Sequence, residues 1–227
     1  IYSFNSSYPL IKQDDSYLNY LIPKLSLKIN PHDMKNYSSV KKIINTTNIY
    51  DNNRLGLSDS FESGKSLTLG INFKRESQKN INNFLDINLA TVFRDKEEEF
   101  IPTNTTINKK NSNIFGNIKT SFNDLIDLNY NFALDNNYNK FEFNELDASF
   151  KIGLLKTEFN YLKEKDSMGG DSYFENKTIY TIDENNSLSF GTRRNRKLDL
   201  TEYYNLIYEY KNDCLTAGIK YNKTYYE

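Results

Sequence analysis

The sequence has very little of several residue types. Its 227 residues include one cysteine, one histidine and no tryptophan. Cys214 therefore has no partner for a disulfide within this sequence, and His32, alone in a polar segment, does not predict a metal site. The formal net charge is only -1, so no overall field favours nucleic acid, and we predict no nucleic-acid partner.

Long apolar runs are also missing. No segment approaches the roughly 18–20 apolar residues of a membrane-spanning helix. The hydrophobic fraction is 37% and the mean hydropathy is -0.73, which is low for a packed globule of this size. Disorder is a poor explanation, because the chain has 18 Tyr and 15 Phe and disordered chains have few aromatic residues. These values favour a β-protein with one side always wet.

The clearest regular pattern follows a polar, turn-rich segment that ends near Gly64. Leu67, Leu69, Ile71 and Phe73 alternate with Ser66, Thr68, Gly70 and Asn72, which predicts a strand with one apolar and one polar face. The same alternation recurs along the chain, and no helical period exceeds two turns. The sequence thus predicts about twelve strands, at 1–8, 17–29, 64–76, 82–95, 112–122, 125–135, 140–151, 154–165, 172–182, 187–197, 201–211 and 214–225.

Strand length and linker length both carry information about the class of fold. The strands average about ten residues, which matches a tilted strand that crosses a bilayer. Short linkers alternate with longer ones, the longest being 30–63 and 96–111. Short turns at one end and longer loops at the other are typical of outer-membrane barrels.

Alternation alone does not choose between a soluble sandwich and a barrel, because both have one apolar and one polar face per strand. Tyrosines near strand ends favour the barrel, together with strand length and linker asymmetry. These tyrosines are Tyr17, Tyr203, Tyr204, Tyr221, Tyr225 and Tyr226. We therefore expect an all-β, antiparallel transmembrane β-barrel, of which this chain is a part. Residues 140–151 change phase midway, which predicts a β-bulge.

Two segments resemble the outer-membrane lipopolysaccharide-assembly family, also called organic solvent tolerance proteins. The family pattern N-R-F-x-G-x-D-R-x-E-x-G is matched in step by Asn53, Arg54, Asp59, Glu62 and Gly64. Leu55 and Ser60 depart from the aromatic residue and the second Arg of that pattern, and Gly56 stands one position early. Residues 204–221 are similar to the family's late strands, where one or two cysteines follow a Y-x-Y pattern, as Cys214 does here.

The resemblance implies an outer-membrane translocon that inserts lipopolysaccharide into the outer leaflet through a laterally opening barrel. Its partners would be a lipoprotein plug inside the barrel, periplasmic lipopolysaccharide bridge proteins and lipopolysaccharide itself. Residues 1–227 would be the C-terminal portion of the barrel, without the first barrel half and the N-terminal periplasmic domain. The chain begins mid-pattern with Ile1 and is expected to stop about one strand short of the barrel's end.

The resemblance also implies roles for single residues. Cys214 would pair with a cysteine outside this chain, the alternative being an unpaired thiol. Arg54, Asp59 and Glu62 would form an ion-pair network that holds the long loop folded inward, and the alternative is a solvated loop. Arg193, Arg194, Arg196 and Lys197 are candidate contacts for lipid A phosphates, and the alternative is a solvated rim.

Other polar clusters predict little chemistry. Residues 97–99 are three consecutive glutamates, which would hold divalent cations or, as the favoured alternative, form a solvated acidic loop. Gly169 and Gly170 lack the flanking pattern of a phosphate loop. No nucleophile–base–acid set is visible, so we predict no enzymatic activity, no metal and no cofactor. Two other classes stay open, a porin-like passive diffusion channel and a third that comprises outer-membrane enzymes and soluble sandwich binding modules.

Overall fold

The computed structural model of the chain describes residues 1–165 and 170–225. Gly169 and Tyr226, both singled out in the sequence, lie outside the described residues. Thirteen strands are described, and all belong to one antiparallel sheet. Their bounds are β1 Tyr2–Ser7, β2 Leu10–Gln13, β3 Tyr17–Asn30, β4 Gly64–Ser77, β5 Phe84–Arg94, β6 Ile114–Phe122, β7 Ile126–Leu134, β8 Phe141–Ile152, β9 Leu155–Glu164, β10 Ser172–Thr181, β11 Asn186–Asn195, β12 Leu200–Lys211 and β13 Thr216–Thr224.

The strands form an up-and-down meander in which each strand from β3 to β13 pairs with its sequence neighbours. This confirms the predicted all-β, antiparallel architecture, and the order gives no sign of closure between β1 and β13. Strands β3 to β13 have 9 to 14 residues each. Nowhere in the described chain does a helix reach the length and hydrophobicity that a membrane-crossing helix needs.

Strands β1 and β2 are two parts of one extended run along β3. Ser7 lies opposite Lys24 and Leu10 opposite Leu21, so the register is continuous across the gap. Pro9 lies within the gap and has no backbone N–H. The sequence pattern missed β2, because it placed the end of the first strand at residue 8.

Two predicted local features are confirmed. Asn123 and Asp124, between β6 and β7, both have positive φ, as a tight hairpin turn requires. The pairing of β7 with β8 shifts register between Ala133 and Leu134, which leaves Glu142 without a partner. This bulge changes the phase of β8, although it lies nearer the start of the strand than the sequence pattern suggested.

In β3 and β4 the polar face is buried and the apolar face is exposed, which is the reverse of the arrangement in soluble β-proteins. On the apolar face of β3 and β4, Leu27, Leu69 and Ile71 are 38%, 39% and 40% exposed. On the polar face, Ser26 and Thr68 are fully buried. No second sheet among the described strands packs on the apolar face. The interleaved apolar core of a β-sandwich is therefore absent from the described chain.

The polar face of β3–β6 is covered by the chain's own loops. We call residues 31–63 loop A and residues 95–113 loop B. Loop B contains a short 3-10 turn, Thr103–Thr105. Tyr37 of loop A donates its backbone N–H to Phe100 of loop B at 2.9 Å, so the two loops support each other.

The apolar core lies between these loops and the polar face of the sheet. Loops A and B contribute its long side chains, and the sheet contributes mainly small ones, since small side chains let the loops approach closely. The core comprises Met34, Ile44, Ile49, Leu55 and Leu57 from loop A, Ile101 and Ile107 from loop B, and Ala90, Val92, Phe115 and Ala133 from the sheet.

Candidate functional site

A buried ion cluster fixes loop A to the sheet. Arg54 binds the Glu62 carboxylate with two parallel hydrogen bonds, from Nε to Oε2 at 2.7 Å and from Nη2 to Oε1 at 2.5 Å. Arg94, at the end of β5, donates to the same Oε1 atom. Arg54, Glu62 and Arg94 are 4%, 7% and 7% exposed. We call these three residues the Arg–Glu–Arg cluster.

Arg54 uses every donor of its guanidinium. Besides Glu62, it donates to Thr68 Oγ1 and Ser66 Oγ on β4, both at 3.0 Å, and to the Ile49 carbonyl at 3.3 Å. A guanidinium has five N–H donors in a fixed fork, and here all five have acceptors. The Arg54 side chain therefore connects two points of loop A, Ile49 and Glu62, with strand β4.

The cluster carries more positive than negative charge. Lys28 of β3 is 3% exposed and donates from Nζ to the Asp51 carbonyl. Burial alone raises the pKa of the Glu62 carboxyl, but the charges and hydrogen bonds of Arg54 and Arg94 outweigh it and hold the pKa below its usual value. Glu62 is thus ionised and neutralises part of a cationic pocket.

Two further positions of the family-like motif shape the loop around this cluster. Asn53 accepts from the Leu57 N–H at 3.0 Å and donates to the Leu57 carbonyl at 2.7 Å, which closes a turn. Gly64 has φ of +80°, and a Cβ there would lie 3.0 Å from Arg94 Nη2. The turn and the glycine bring residues 54 and 62 to the same point on the polar face.

Asp59 is not part of the buried cluster, although the sequence placed it in the same network. It binds Lys35 Nζ at 2.5 Å and also accepts from the Tyr37 hydroxyl, and these contacts are exposed to solvent. The hydrogen bonds from Lys35 and Tyr37 lower the pKa of the Asp59 carboxyl. Arg94 takes the third place in the buried cluster instead, and no local sequence pattern indicated this role.

Tyr50 occupies a slot in the sheet made by a glycine. A Cβ on Gly70 would collide with the Tyr50 hydroxyl and would lie 2.7 Å from the Leu89 carbonyl oxygen. Burial raises the pKa of Tyr50 to about 12. Loop A therefore contacts the polar face through Tyr50 on Gly70 as well as through the Arg–Glu–Arg cluster and the apolar core.

A row of polar side chains crosses the polar face of the sheet from β4 to β12. Its members are opposite one another in successive strand pairs from β4 to β12, so they form a continuous line. The row is Lys74, Asp86, Lys119, Asn129, Asp147, Asn160, Glu175, Arg193 and Tyr203. We call it the charged row. A pocket of about 370 Å³ opens on its middle part.

The charged row is internally hydrogen-bonded. Asp147 accepts from Asn129 Nδ2 at 3.2 Å and from Asn160, and Glu175 accepts from the Tyr203 hydroxyl at 2.8 Å. Among the described residues, no group of three or more His, Cys, Asp or Glu side chains is placed to hold a metal ion.

The four basic residues predicted to contact phosphates do not form one cluster. Arg193 faces the polar side, where its Nε lies 2.8 Å from Glu202 and its guanidinium lies 4.1 Å from the Tyr173 ring centre. Arg194, on the apolar face, binds Asp199 at 2.5 Å. Arg196 donates to the Tyr161 hydroxyl at 3.1 Å. Lys197 lies beside Arg196 in the connection between β11 and β12.

Two further sequence-predicted positions lie outside these clusters. Cys214 is exposed in the turn between β12 and β13, where its N–H donates to Asn212 Oδ1 at 3.0 Å. Glu98, the middle of the three glutamates, accepts from Ser63 Oγ at 2.5 Å. Loop B is therefore connected to the end of loop A next to the Arg–Glu–Arg cluster.

Comparison with known proteins adds no assignment. No protein-family model matches the chain, and no curated protein matches it.

Proposed function

We propose that the chain is part of an outer-membrane β-barrel that inserts lipopolysaccharide into the outer leaflet. The observation that carries this proposal is the reversed burial of the sheet, with Leu, Ile and Phe rows exposed and the polar rows of β3–β6 covered. A surface of that kind is stable against hydrocarbon and costly in water. Strands of 9 to 14 residues are long enough to cross a bilayer core.

Loop geometry supports an orientation for this barrel. The connections at one end of the sheet are short, as at residues 123–125 and 153–154, and loops A and B both lie at the other end. In outer-membrane barrels the short turns face the periplasm and the longer loops face outward. Loops A and B would then fold inward from the cell surface, with the Arg–Glu–Arg cluster as their attachment.

The same orientation gives each proposed partner a place. A lipoprotein plug would contact the polar face of β9–β12, most of which loops A and B leave open. Cys214, in a periplasmic turn, would pair with a cysteine outside this chain, because the periplasm is oxidising. Periplasmic bridge proteins would deliver lipopolysaccharide to a part of the protein beyond this chain.

The test uses the full-length protein in its own cells. Depletion should move newly made lipopolysaccharide from the cell surface to internal membranes, as measured by surface labelling of intact cells. The protein should be recovered in the outer-membrane fraction and should need detergent for extraction. Recovery in the soluble fraction, or unchanged surface lipopolysaccharide after depletion, would contradict the proposal.

A second candidate is a porin-like passive channel, which the charged row favours. Porins have a polar interior, and the row supplies charges of both signs beside a pocket of about 370 Å³. The purified full-length protein in a planar bilayer distinguishes the two functions. A translocon closed by its loops should give little steady conductance, whereas large, steady openings would favour the channel.

A further inference from the structure

A second pocket, on the apolar face at the long-loop end of the sheet, has three cationic residues among the six described residues that line it. It has a volume of about 320 Å³ and lies between β9, β10 and the connection from β11 to β12. Lys163, Arg196 and Lys197 line it, together with the Ser172 hydroxyl. Lys163 was not among the candidate phosphate contacts predicted from the sequence.

The register of the strands places this pocket just beyond the apolar band. Lys163 is opposite Ser172, and two residues back on the same face Tyr161 is opposite Phe174. Since strands rise about 3.3 Å per residue, the cationic pocket begins about 7 Å beyond the aromatic pair. Tyrosines at the edge of an apolar band, followed by Lys and Arg, mark the headgroup level of a membrane surface.

Arg196 is held at the pocket by three contacts. Its backbone N–H donates to the Ser172 carbonyl at 2.8 Å, and its Nη1 donates to the Tyr161 hydroxyl at 3.1 Å. Its guanidinium also lies 5.4 Å from the centre of the Tyr161 ring. Because the side chain is oriented beforehand, less rotamer entropy is lost when it binds an anion.

Two neighbouring arginines in residues 193–197 are already paired with carboxylates. Arg193 pairs with Glu202, and Arg194 pairs with Asp199. Among the described residues that line the pocket, Glu164 is the one carboxylate. It is opposite Phe143 on the polar face, so its side chain belongs to the other side of the sheet. No carboxylate in the described part of the chain forms an ion pair with Lys163 or Arg196.

We propose that this pocket binds the phosphate group of an anionic lipid in the outer leaflet. A guanidinium and ammonium groups bind phosphate oxygens through charge-assisted hydrogen bonds, and the aromatic pair below would contact the lipid's apolar part. The inference rests on the proposed function, because it requires the apolar face to contact a membrane. Of the four phosphate contacts predicted from the sequence, this pocket contains Arg196 and Lys197, and it adds Lys163.

The test measures binding of a fluorescent phosphatidic acid by the full-length protein in detergent micelles. The double variant Lys163→Gln, Arg196→Gln should raise the apparent Kd at least about tenfold, since two charged hydrogen bonds are lost. The matched control Arg194→Gln removes one charge from the same end and face, and should change the Kd less than about twofold, because Asp199 already neutralises that arginine. Inorganic phosphate should compete poorly, because it lacks the apolar part.

Three results would overturn the inference. They are unchanged binding by the double variant, an equal loss in Arg194→Gln, and displacement of the lipid by equimolar inorganic phosphate. Each variant is first checked for a wild-type protease-digestion pattern, and Arg196→Lys, which keeps the charge but loses the fork, serves as a second variant with an intermediate Kd. Failure of the proposed function is seen separately, as wild-type protein outside the membrane fraction.

Discussion

The two halves of the sheet treat their polar faces differently. Over β3–β6, loops A and B cover the polar face, and Ser26, Thr68 and Val92 are fully buried there. After Ala148, Gly170 is the one described residue that is buried. Both halves have the same alternation, and their strand lengths overlap, with 9 to 14 residues in β3–β6 and 9 to 12 in β7–β13. Coverage by loops, rather than strand pattern, therefore separates a half with its own core from a half that leaves its polar face open.

The second half of the sheet lacks the contacts that cover the polar face of the first half. The first half has a core, two mutually supporting loops and a buried ion cluster. The second half is stabilised by the strand ladders and by a hydrogen-bonded charged row, with rings such as Phe159 and Phe174 in contact on the apolar face. Water, a partner or the remainder of a barrel would occupy the open polar face.

The largest expected effect comes from Glu62→Ala. This change leaves the cations Arg54, Arg94 and Lys28 buried without a carboxylate. Breaking a buried ion pair costs about 3–5 kcal/mol, so loop A should detach from the sheet. Limited proteolysis of the full-length protein in detergent should show new cleavage within residues 31–63. The matched control is Asp59→Ala, which removes an exposed carboxylate from the same loop and should leave the digestion pattern unchanged; equal cleavage in both variants would contradict the role of the cluster.

A smaller effect is expected when the Tyr50 slot is filled. The Cβ of Gly70→Ala would collide with Tyr50 and approach the Leu89 carbonyl. Overpacking of this kind typically costs about 1–3 kcal/mol. Gly191→Ala is the control in the open half, because the nearest atom to its Cβ would be 3.8 Å away. Thermal unfolding in detergent should show a lower Tm for Gly70→Ala and no decrease for Gly191→Ala. An equal decrease in Tm in both variants would mean that the contact with loop A does not determine the loss of stability.

Alternation of small polar and large apolar residues was enough to predict the strands. From β3 to β13 the predicted bounds differ from the observed ones by at most two residues at either end, because the period of two reports directly which residues share a face. The turn at Asn123 and Asp124 was also predictable from local sequence, because Asn and Asp tolerate positive φ.

Local pattern did not predict the composition of the buried ion cluster. Asp59 and Glu62 are carboxylates of one polar loop, and only the fold of the loop places the Glu62 side chain against the sheet and the Asp59 side chain in solvent. Arg94 is 32 residues from Glu62, and it reaches the cluster because Ser66 pairs with Arg94 in the β4–β5 register. A signal was present, since Arg94 falls on the polar face of its strand, but its partner depends on tertiary structure.

The smallest expected effect is that of moderate acid on loop A. The pKa of Glu62 is lowered in the folded protein, so its contribution to stability is present above the ordinary glutamate pKa of about 4.3 and is lost as pH falls toward the folded value. Protease protection of residues 31–63, probed by pulse cleavage with an acid-active protease, should therefore be the same at pH 7 and pH 5 and should decrease only below about pH 4. In Glu62→Gln the carboxylate is absent at every pH, so its weaker protection should not respond to acid in this range. Loss of protection in the wild type between pH 7 and pH 5 would show that a group with a higher pKa, rather than Glu62, controls the attachment of loop A to the sheet.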